Sequence, residues 1–289
     1  MSTRTFVLCI AVLVIIDAFL NFPLFAGHIF GKDDRRPVLF PSPPYSMVGR
    51  IRIETGGKVL FCSGSLVGPD LALTNLHCVD QFLTNKNDTK IYFQAFYHKG
   101  RSLADSPVTE IFADYQLTKA AISYEGYNDW AILKLENPIG LRLGWFEVAS
   151  TAKIEKTYSQ WLSEFVGLSK PARYLVDLAG YNGDIDEAEV LTVQKDCEIK
   201  ATSSKIGHDC DMNKGSSGAP IYYLSPDGKY TIVAVNEGAR LSPEGNNIGL
   251  HLKEYSYPRS NLAIDTARFY PYLKTKLKES LKQANIVQQ

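Results

Sequence analysis

From residue 47 onward the chain consists of short runs of β-branched and aromatic residues, separated by Gly, Pro, Asn and Asp. Such runs predict β-strands, which are expected at residues 47–53, 63–67, 71–74, 91–97, 108–112, 131–135, 175–181, 189–193, 219–224, 231–236 and 249–252. Strands this short and this regularly spaced favour an antiparallel barrel or sandwich over alternating strands and helices. The pattern therefore predicts an all-β protein.

Two segments have apolar residues at helical spacing instead. Residues 153–166 contain Tyr158, Trp161 and Phe165 on one face, and their position between two groups of strands predicts a helix that links two halves of the fold. Residues 268–284 predict a final amphipathic helix. Its lysines are expected to be exposed, and its apolar stripe consists of Phe269, Leu273, Leu277 and Leu281.

The N-terminus is typical of a secretory signal peptide. A basic residue precedes an unbroken apolar run over residues 6–16, and Ala26-Gly27 offers small residues for cleavage. An uncleaved anchor is the alternative, because residues 18–25 are also mostly apolar. Asp17 argues against it, since a carboxylate inside a bilayer is costly. We expect a secreted protein, extracellular or periplasmic, without stable membrane association after cleavage.

Residues 28–46 are basic, rich in proline and without periodicity. This composition is typical of a linker, a pro-segment or an extended belt over the surface. The whole chain has 31 basic and 31 acidic residues and no net charge. Balanced charge gives no reason to expect nucleic acid or an anionic membrane surface as a partner.

The sequence Gly-Ser-Ser-Gly-Ala-Pro at residues 215–220 requires an unusual backbone. Its glycines allow a sharp turn that exposes one serine hydroxyl and aims successive N–H groups at a single point. An oxyanion would form at that point during acyl transfer. We therefore expect Ser217 to be a nucleophile and the amides of Gly215 and Ser217 to form an oxyanion hole. The alternative is an ordinary loop of small polar residues.

A serine nucleophile needs a base within hydrogen-bond reach and a third group to orient that base. His77 follows an apolar run and is followed directly by Cys78. Asp129 precedes an apolar strand in which its carboxylate could be buried against the imidazole. An ordinary turn is the alternative for Asp129. Asp114 is a spare candidate for the acid, although no continuous apolar strand follows it.

Four cysteines remain once the signal peptide is removed, and an even number in an exported chain favours disulfides. The expected pairs are Cys62–Cys78 and Cys197–Cys210, because each closes a short loop beside a proposed catalytic residue. A zinc site is the alternative, but neither pair has the Cys-x-x-Cys spacing typical of structural zinc. We expect no metal and no organic cofactor.

The local sequences Thr-Asn-Leu-His-Cys and Asp-Trp-Ala-Ile-Leu, with Gly-Ser-Ser-Gly-Ala-Pro, resemble those of the chymotrypsin-like (trypsin-like) serine peptidases. His77, Asp129 and Ser217 also have that family's order. The resemblance covers the chain from about residue 47 to the final helix. It implies two antiparallel six-stranded β-barrels, with the catalytic triad in the cleft between them.

The resemblance also implies the division of the chain into domains. The segments are a signal peptide at 1–27, a pro-segment or linker at 28–46, an N-terminal barrel at 47–150, a linker helix at 151–168, a C-terminal barrel at 169–262 and a C-terminal helix at 263–289.

Departures from the family pattern concern activation and specificity. Ser216 stands where animal digestive members carry the aspartate that pairs with a newly cut N-terminus, so the chain looks more like the bacterial glutamyl-endopeptidase branch. That branch binds a substrate glutamate partly through a histidine, and the matching position here is Asn236. Glu237 beside it would repel an acidic side chain, and Gly238 follows on the same expected strand.

Asp211 precedes Ser217 at the spacing that trypsin-like enzymes use for the acid of the primary specificity pocket. In that pocket it would select Lys or Arg by charge pairing. The alternative is a loop carboxylate bound to nearby backbone. Asp211, Asn236 and Gly238 are thus the candidate substrate-binding residues.

The resemblance implies a monomeric, secreted serine endopeptidase that hydrolyses proteins or peptides through an acyl-enzyme. A catalytically silent binding protein with the same fold is the main alternative, against which the intact triad argues. An esterase is a further alternative, but its Gly-x-Ser-x-Gly elbow is missing from the serine motif.

Overall fold

The computed structural model describes residues 27–113, 128–149, 174–202, 205–239, 250–256 and 259–287. Within these segments the strands, numbered in chain order, are β1 (Ile29–Phe30), β2 (Arg36–Pro37), β3 (Val48–Thr55), β4 (Lys58–Leu66), β5 (Leu71–Thr74), β6 (Thr89–Ala95), β7 (Ala104–Phe112), β8 (Ala131–Leu135), β9 (Glu147–Val148), β10 (Tyr174–Tyr181), β11 (Leu191–Thr202), β12 (Ile206–His208), β13 (Pro220–Leu224), β14 (Tyr230–Ala239), β15 (His251–Leu252) and β16 (Asn261–Asp265). The α-helices are α1 (Asp80–Thr84), α2 (Gly140–Leu143) and α3 (Tyr270–Val287). None of the helices in these segments is long and apolar enough to cross a membrane.

Strands β3, β4, β5, β8, β7 and β6 form a closed antiparallel barrel, in that order. β3 pairs along its length with β4 and, from Gly49 onward, with β6. The core is apolar, and Ile51, Leu73 and Phe93 are fully buried in it. Gly49 has no room for a side chain, because a Cβ there would clash with the Phe93 ring. Close packing thus fixes the strands of this first barrel.

Strands β10, β13, β14, β16, β12 and β11 form the second barrel, which closes because β11 also pairs with β10. Outside this ring, β2 pairs with β11 and β9 pairs with β14. Leu178, Ile206, Ile221 and Val233 belong to its buried core. The prediction of two antiparallel six-stranded barrels is confirmed.

The strand pattern of the sequence missed β12 and β16 of the second barrel and the two-residue strands β1, β2 and β9. β12 has three residues and β16 has five. β12 pairs with β11 and β16, while β16 pairs with β14 and β12. Such short strands depend on neighbouring strands more than on their own residues.

Several other strands differ in length from the prediction, and β4, β7 and β14 each extend beyond the bounds expected at 63–67, 108–112 and 231–236. β11 runs from Leu191 to Thr202 rather than over residues 189–193, because the exposed charged residues Lys195 and Asp196 interrupt its apolar pattern without ending its pairing. The strand expected at 249–252 is reduced to β15, which has two residues.

The final helix α3 packs on the first barrel. Phe269, just before it, and Leu273 are buried, and the ring of Phe269 lies 5.6 Å from that of Trp130. Leu281 was expected in the apolar stripe but is exposed. The buried face of the helix continues instead through Ser280 and Ala284.

The N-terminal segment at residues 27–38 runs over the second barrel. β1 pairs in parallel with β15, and β2 pairs with β11. Arg35 belongs to this segment, and its side chain is buried. Its guanidinium lies 2.9 and 2.6 Å from the two carboxylate oxygens of Asp184. Asp33 binds the same guanidinium. The segment thus has the course of an extended belt.

Three sequence-based expectations fall outside the described residues. They are nearly all of the signal peptide at 1–27, the spare acid Asp114 and the linker helix at 151–168.

Candidate active site

The first barrel brings His77 and Asp129 together at the adjacent ends of two strands. β5 ends at Thr74, and a 3₁₀ turn over Leu76–Cys78 follows it. β8 begins at Ala131, which lies opposite Thr74 in the antiparallel pairing of these strands. The turn after β5 and the residues before β8 are therefore neighbours, although they are far apart in the sequence.

The Asp129 carboxylate contacts His77 at two points. Oδ2 lies 2.6 Å from Nδ1 of His77, and Oδ1 accepts the backbone N–H of His77 at 2.9 Å. The side chain of Asn75 donates to the carbonyl oxygen of Asp129 at 2.8 Å. An ionised carboxylate can only accept hydrogen bonds, so Nδ1 carries the proton and Nε2 is the basic nitrogen of the neutral imidazole.

The charges of this pair set both pKa values. Burial works to lower the pKa of His77, but the charge and hydrogen bond of Asp129, helped by Glu237 and Asp80, raise it above 6.5. Burial works to raise the pKa of Asp129, but the charge and hydrogen bonds of His77 lower it below 3.8. Asp129 is therefore ionised at neutral pH and stabilises a protonated His77.

Two disulfides flank the site. Cys62 in β4 is bonded to Cys78, next to His77, and Cys197 in β11 is bonded to Cys210. These are the pairs expected from the sequence, and each stabilises the fold by about 3 kcal/mol if loop entropy is the cause. The Cys62 and Cys78 sulfurs lie near the His77 ring, but their bond to each other leaves no thiolate there to bind a metal ion.

Ser217 belongs to the second barrel, but its loop packs on the first. The carbonyl oxygen of Ser217 accepts the backbone N–H of Ser63 at 2.8 Å. Gly218 has a φ of +84°, and a Cβ there would clash with the backbone of Ser63 and the hydroxyl of Thr74. Thr74 ends the strand that leads to His77. The candidate nucleophile therefore lies against the strand that carries the candidate base.

The backbone carbonyls of the residues just before Gly215 and Ser217 accept hydrogen bonds from groups of the second barrel. The carbonyl of Lys214 accepts a backbone N–H from the β10–β11 connection at 2.7 Å. The carbonyl of Ser216 accepts the side-chain amide of Asn236 at 2.9 Å. In a trans peptide the C=O and N–H groups point in opposite directions. The N–H groups of Gly215 and Ser217 are thus directed away from those inner contacts.

The two adjacent serines differ in their surroundings. Ser216 is fully buried, and its hydroxyl donates to the carbonyl of Asn213 at 2.6 Å. The Ser217 hydroxyl donates to the carbonyl of Glu237 in β14 at 3.1 Å. Ser217 is buried as well, at 4% exposure, so the two serines differ in the acceptors of their hydroxyls rather than in burial.

Comparison with known proteins identifies the family. Residues 40–257 match the protein-family model described as Trypsin. The chain belongs to the trypsin family. It is accordingly a serine endopeptidase by class, and no curated protein sequence matches it significantly.

Solved structures similar to this trypsin-family chain share its fold at low sequence identity. A Glu endopeptidase in complex with MPD is 18% identical, with a TM-score of 0.60, covering 86% of this chain and 99% of that one. The protease Anisep from Arthrobacter nicotinovorans is 17% identical, with a TM-score of 0.53, covering 81% and 97% of the two chains. A thermostable serine protease, AL20, from an extremophilic microorganism is 18% identical, with a TM-score of 0.53 and coverages of 80% and 98%.

Asp211, the candidate specificity acid of this trypsin-family chain, is buried beneath the N-terminal belt. One carboxylate oxygen accepts the backbone N–H of Phe30 at 2.8 Å, and the other accepts that of Asp34 at 3.0 Å. Burial raises its pKa to about 6, although these two bonds work to lower it. This geometry favours the alternative of a loop carboxylate bound to backbone.

The other two candidate substrate-binding residues lie on β14 beside the nucleophile. Asn236 is buried, and its amide binds the carbonyl and the hydroxyl of Ser216 at 2.9 and 3.2 Å. Gly238 pairs with Leu262 of β16. Asn236 thus supports the serine turn directly.

Sequence reasoning missed the role of Glu237 beyond its repulsion of acidic substrates. Its carboxylate pairs with Lys205 at 2.6 Å, and both residues are buried. The only local signal is an acidic residue within an otherwise apolar strand. Its partner is 32 residues away in sequence, so no spacing rule connects the two.

Proposed function

We propose that this chain hydrolyses peptide bonds through Ser217, His77 and Asp129 and a covalent acyl-enzyme. The observation that carries the proposal is the contact of the Ser217 loop with β4 and β5 of the first barrel, at the turn where Asp129 holds His77. Nucleophile, base and orienting acid are the three groups that acyl transfer requires.

In the proposed first step, Nε2 of His77 takes the proton of the Ser217 hydroxyl, and the oxygen attacks the scissile carbonyl carbon. The hydroxyl first leaves the carbonyl of Glu237, to which it donates at 3.1 Å, by rotation about its Cα–Cβ bond. The N–H groups of Gly215 and Ser217 bind the oxyanion. One such donor typically contributes about 3 kcal/mol to transition-state stabilisation.

Collapse of the tetrahedral intermediate breaks the peptide bond. The protonated His77 gives its proton to the departing amine, which leaves an ester between the substrate acyl group and Ser217. Water then attacks this ester with His77 again as base, and the free acid and the Ser217 hydroxyl are released. Asp129 fixes the tautomer of His77 and stabilises the imidazolium in both halves of the reaction.

We further propose that the enzyme is secreted, acts outside the cytoplasm or in the periplasm, and cleaves protein or peptide substrates as a monomer. The two disulfides support an oxidising compartment. Neither a metal nor an organic cofactor has a role in the proposed steps.

A fluorophosphonate probe tests the proposed nucleophile, because it reacts with a serine only where a base and an oxyanion hole are assembled. We expect label on Ser217 in the folded protein and none in Ser217→Ala. The matched control is Ser225→Ala, which removes a hydroxyl from an exposed turn and should label like the wild type. Label on another residue would reject Ser217.

The alternative is a silent binding protein, and the hydrogen bond of the Ser217 hydroxyl to Glu237 is the observation that favours it. A folded protein of native melting temperature that never labels, at any pH between 6 and 9, would support that alternative. Removal of residues 27–46 before labelling would separate it from an enzyme that the belt keeps inactive.

A further inference from the structure

Glu237 is the unpaired residue of a β-bulge beside the candidate nucleophile. In the pairing of β14 with β16, Asn236 and Gly238 lie opposite consecutive residues of β16, so Glu237 has no residue opposite it. Bulges next to active sites redirect a side chain that a regular strand would point elsewhere. The backbone carbonyl of Glu237 accepts the Ser217 hydroxyl, so the bulge touches the reacting group.

The Glu237 carboxylate is buried together with one cation. Its Oε1 lies 2.6 Å from Nζ of Lys205, and the two side chains are 8% and 9% exposed. Its Oε2 is buried and has no hydrogen-bond partner among the described residues. A buried ion pair with an unsatisfied oxygen is weak support for stability, because desolvation opposes the attraction between the charges. The arrangement therefore points to a role in the site.

The charges of the His77 site act on Glu237. Asp129 raises its pKa and His77 lowers it, while Lys205 lowers the pKa of both Glu237 and Asp129. Burial is the largest cause and brings the pKa of Glu237 to about 7. The charge of Asp80, at the start of α1, also raises the pKa of His77.

The net charge of this cluster changes during the proposed reaction. Above pH 7 the Glu237 carboxylate is mostly ionised, so Asp129, Glu237, the Lys205 cation and a neutral His77 together carry one net negative charge. Proton transfer to His77 makes the cluster neutral, and attraction between fixed charges and the new imidazolium is strong where water is excluded. A second carboxylate therefore favours the protonated state of His77 that forms in the transition state.

We propose that Glu237, on the bulge whose carbonyl accepts the Ser217 hydroxyl and with Lys205 as its buried counter-ion, is a positioning residue that stabilises the imidazolium of His77 during acyl transfer. The proposal rests on the proposed function, because it assigns Glu237 a role in that same reaction. Glu237 does not touch the substrate through its carboxylate. It acts through His77.

Glu237→Gln removes the charge and keeps the shape of the side chain. We expect the pKa of His77 to fall by about one pH unit, since a nearby opposite charge shifts a pKa by about 1–3 units. His77 is the base in its neutral form, so the labelling rate rises with pH as His77 loses its proton. This rise, the acidic limb of the pH profile of fluorophosphonate labelling, moves to lower pH by the same amount. The plateau rate falls as well, by less than tenfold, because proton transfer to His77 is partial in the transition state and the rate follows only part of the change in basicity.

Two variants act as controls. Glu147→Gln removes an equal charge from an exposed ion pair with Lys229 and should leave the limb unchanged. Glu237→Asp keeps the charge and should restore most of the wild-type limb. If Lys205, left without its partner, prevents Glu237→Gln from folding, the double variant Glu237→Gln with Lys205→Met removes both buried charges; its limb should shift downward by less than one pH unit, because loss of the Lys205 cation favours protonation of His77.

The pKa of His77 is also measured without activity, by NMR titration of ¹⁵N-histidine-labelled protein, with the His77 signals assigned from a His77→Gln variant. A pKa equal in wild type and Glu237→Gln would overturn the inference even if Ser217 labels. A lowered pKa in a protein whose Ser217 never labels would support the charge coupling and reject the proposed reaction. The two hypotheses thus fail separately.

Discussion

His77 can act as a base only while it is neutral, so the charges around it determine the pH at which the site works. Asp129, Glu237 and Asp80 all raise its pKa above 6.5. We expect the labelling rate of Ser217 to rise with pH through a midpoint above 6.5, because His77 loses its proton there. The rate measured between pH 5 and 9 checks this; a midpoint at or below 6.5 would contradict it.

Asp129→Asn should lower the labelling rate about 10⁴-fold, because an amide can donate to Nδ1 and thereby favour the wrong tautomer of His77. The loss of the negative charge should also move the midpoint to lower pH. Asp88→Asn, which changes an exposed carboxylate, should have neither effect. Equal rates for the two variants would show that Asp129 does not orient the base.

The same pair predicts how stability depends on pH. The folded pKa of Asp129 lies below 3.8, so its contribution is present above about pH 4 and is lost as pH falls through the folded pKa. The folded pKa of His77 lies above 6.5, so its contribution is complete below that pH and is lost as pH rises through the folded value. Urea unfolding of wild type and Asp129→Asn should therefore differ most between these limits.

The sequence could predict a role for a residue where the surroundings of that residue come from its neighbours in the chain. Ser217 lies in the sequence Gly-Ser-Ser-Gly, and His77 precedes a cysteine at a strand end. Asp211 differs, because the amides of Phe30 and Asp34 that bind it belong to a distant segment. The sequence suggested a specificity pocket for that carboxylate, since nothing near it in the chain reveals the belt.

At the scale of elements, the serine loop depends on glycine for two separate reasons. Gly218 combines a φ of +84° with a site where a Cβ would clash with Ser63 and Thr74. Gly218→Ala should displace Ser217 and lower its labelling rate about 10²-fold, the cost typical of a misplacement of about 1 Å. Gly228→Ala is the matched control, because Gly228 has a φ of +78° and open space around it. Equal losses would assign the effect to backbone strain alone.

Besides its strand pairing and its bonds to Asp211, the N-terminal belt contains one buried cation, whose contribution a pair of neighbouring variants can test. The Arg35 side chain is 1% exposed between Asp33 and Asp184, whereas that of Arg36 is 57% exposed. Arg35→Ala should destabilise the protein by about 3 kcal/mol and speed proteolysis within residues 27–38. Arg36→Ala should do neither. Equal melting temperatures and digestion rates would show that the belt does not depend on this ion pair.

Strands with an uninterrupted local pattern were predictable, and strands defined by their partners were not. The residues of β5 and β8 are apolar throughout apart from one or two positions, and their bounds matched the prediction. β12 has only Ile206, Gly207 and His208, each paired with β16. Three residues hold too little pattern to indicate a strand, so its existence follows from closure of the barrel.

At the scale of the whole molecule, the site exists only while the two barrels stay docked, because His77 and Asp129 come from one and Ser217 from the other. Arg50 of β3 crosses between them. Its guanidinium lies 2.8 Å from the carboxylate of Glu189, which precedes β11 of the second barrel. The order of motifs in the sequence implied two barrels, but it gave no sign of this contact, because neither residue belongs to a motif.

The surroundings of Arg50 explain how a buried cation can join the barrels. The guanidinium lies over the rings of Phe61 and Tyr97, at 4.2 and 3.2 Å from their centroids, and it binds Oε1 of Gln94 through two nitrogens at 3.1 and 3.0 Å. Aromatic faces and a planar amide suit a guanidinium better than an ammonium. The position is therefore specific for arginine as well as for positive charge.

Arg50→Met should lower the free energy of unfolding by about 1–3 kcal/mol, because the buried amide oxygen of Gln94 loses its donors and Glu189, whose side chain is 37% exposed, loses its partner across the barrels. Arg50→Lys should recover only part of this loss, since it restores the charge without the planar contacts. Arg52→Met on the same strand is the matched control, because the Arg52 side chain is 37% exposed and pairs with Glu54 at the surface. Urea unfolding followed by fluorescence measures all three. If Arg50→Met also lowers the Ser217 labelling rate while the protein remains folded, the Arg50 contact helps to set the geometry of the site. An unchanged rate would mean that the other contacts between the barrels, such as those of Tyr181 with Ser63 and Tyr97, are sufficient.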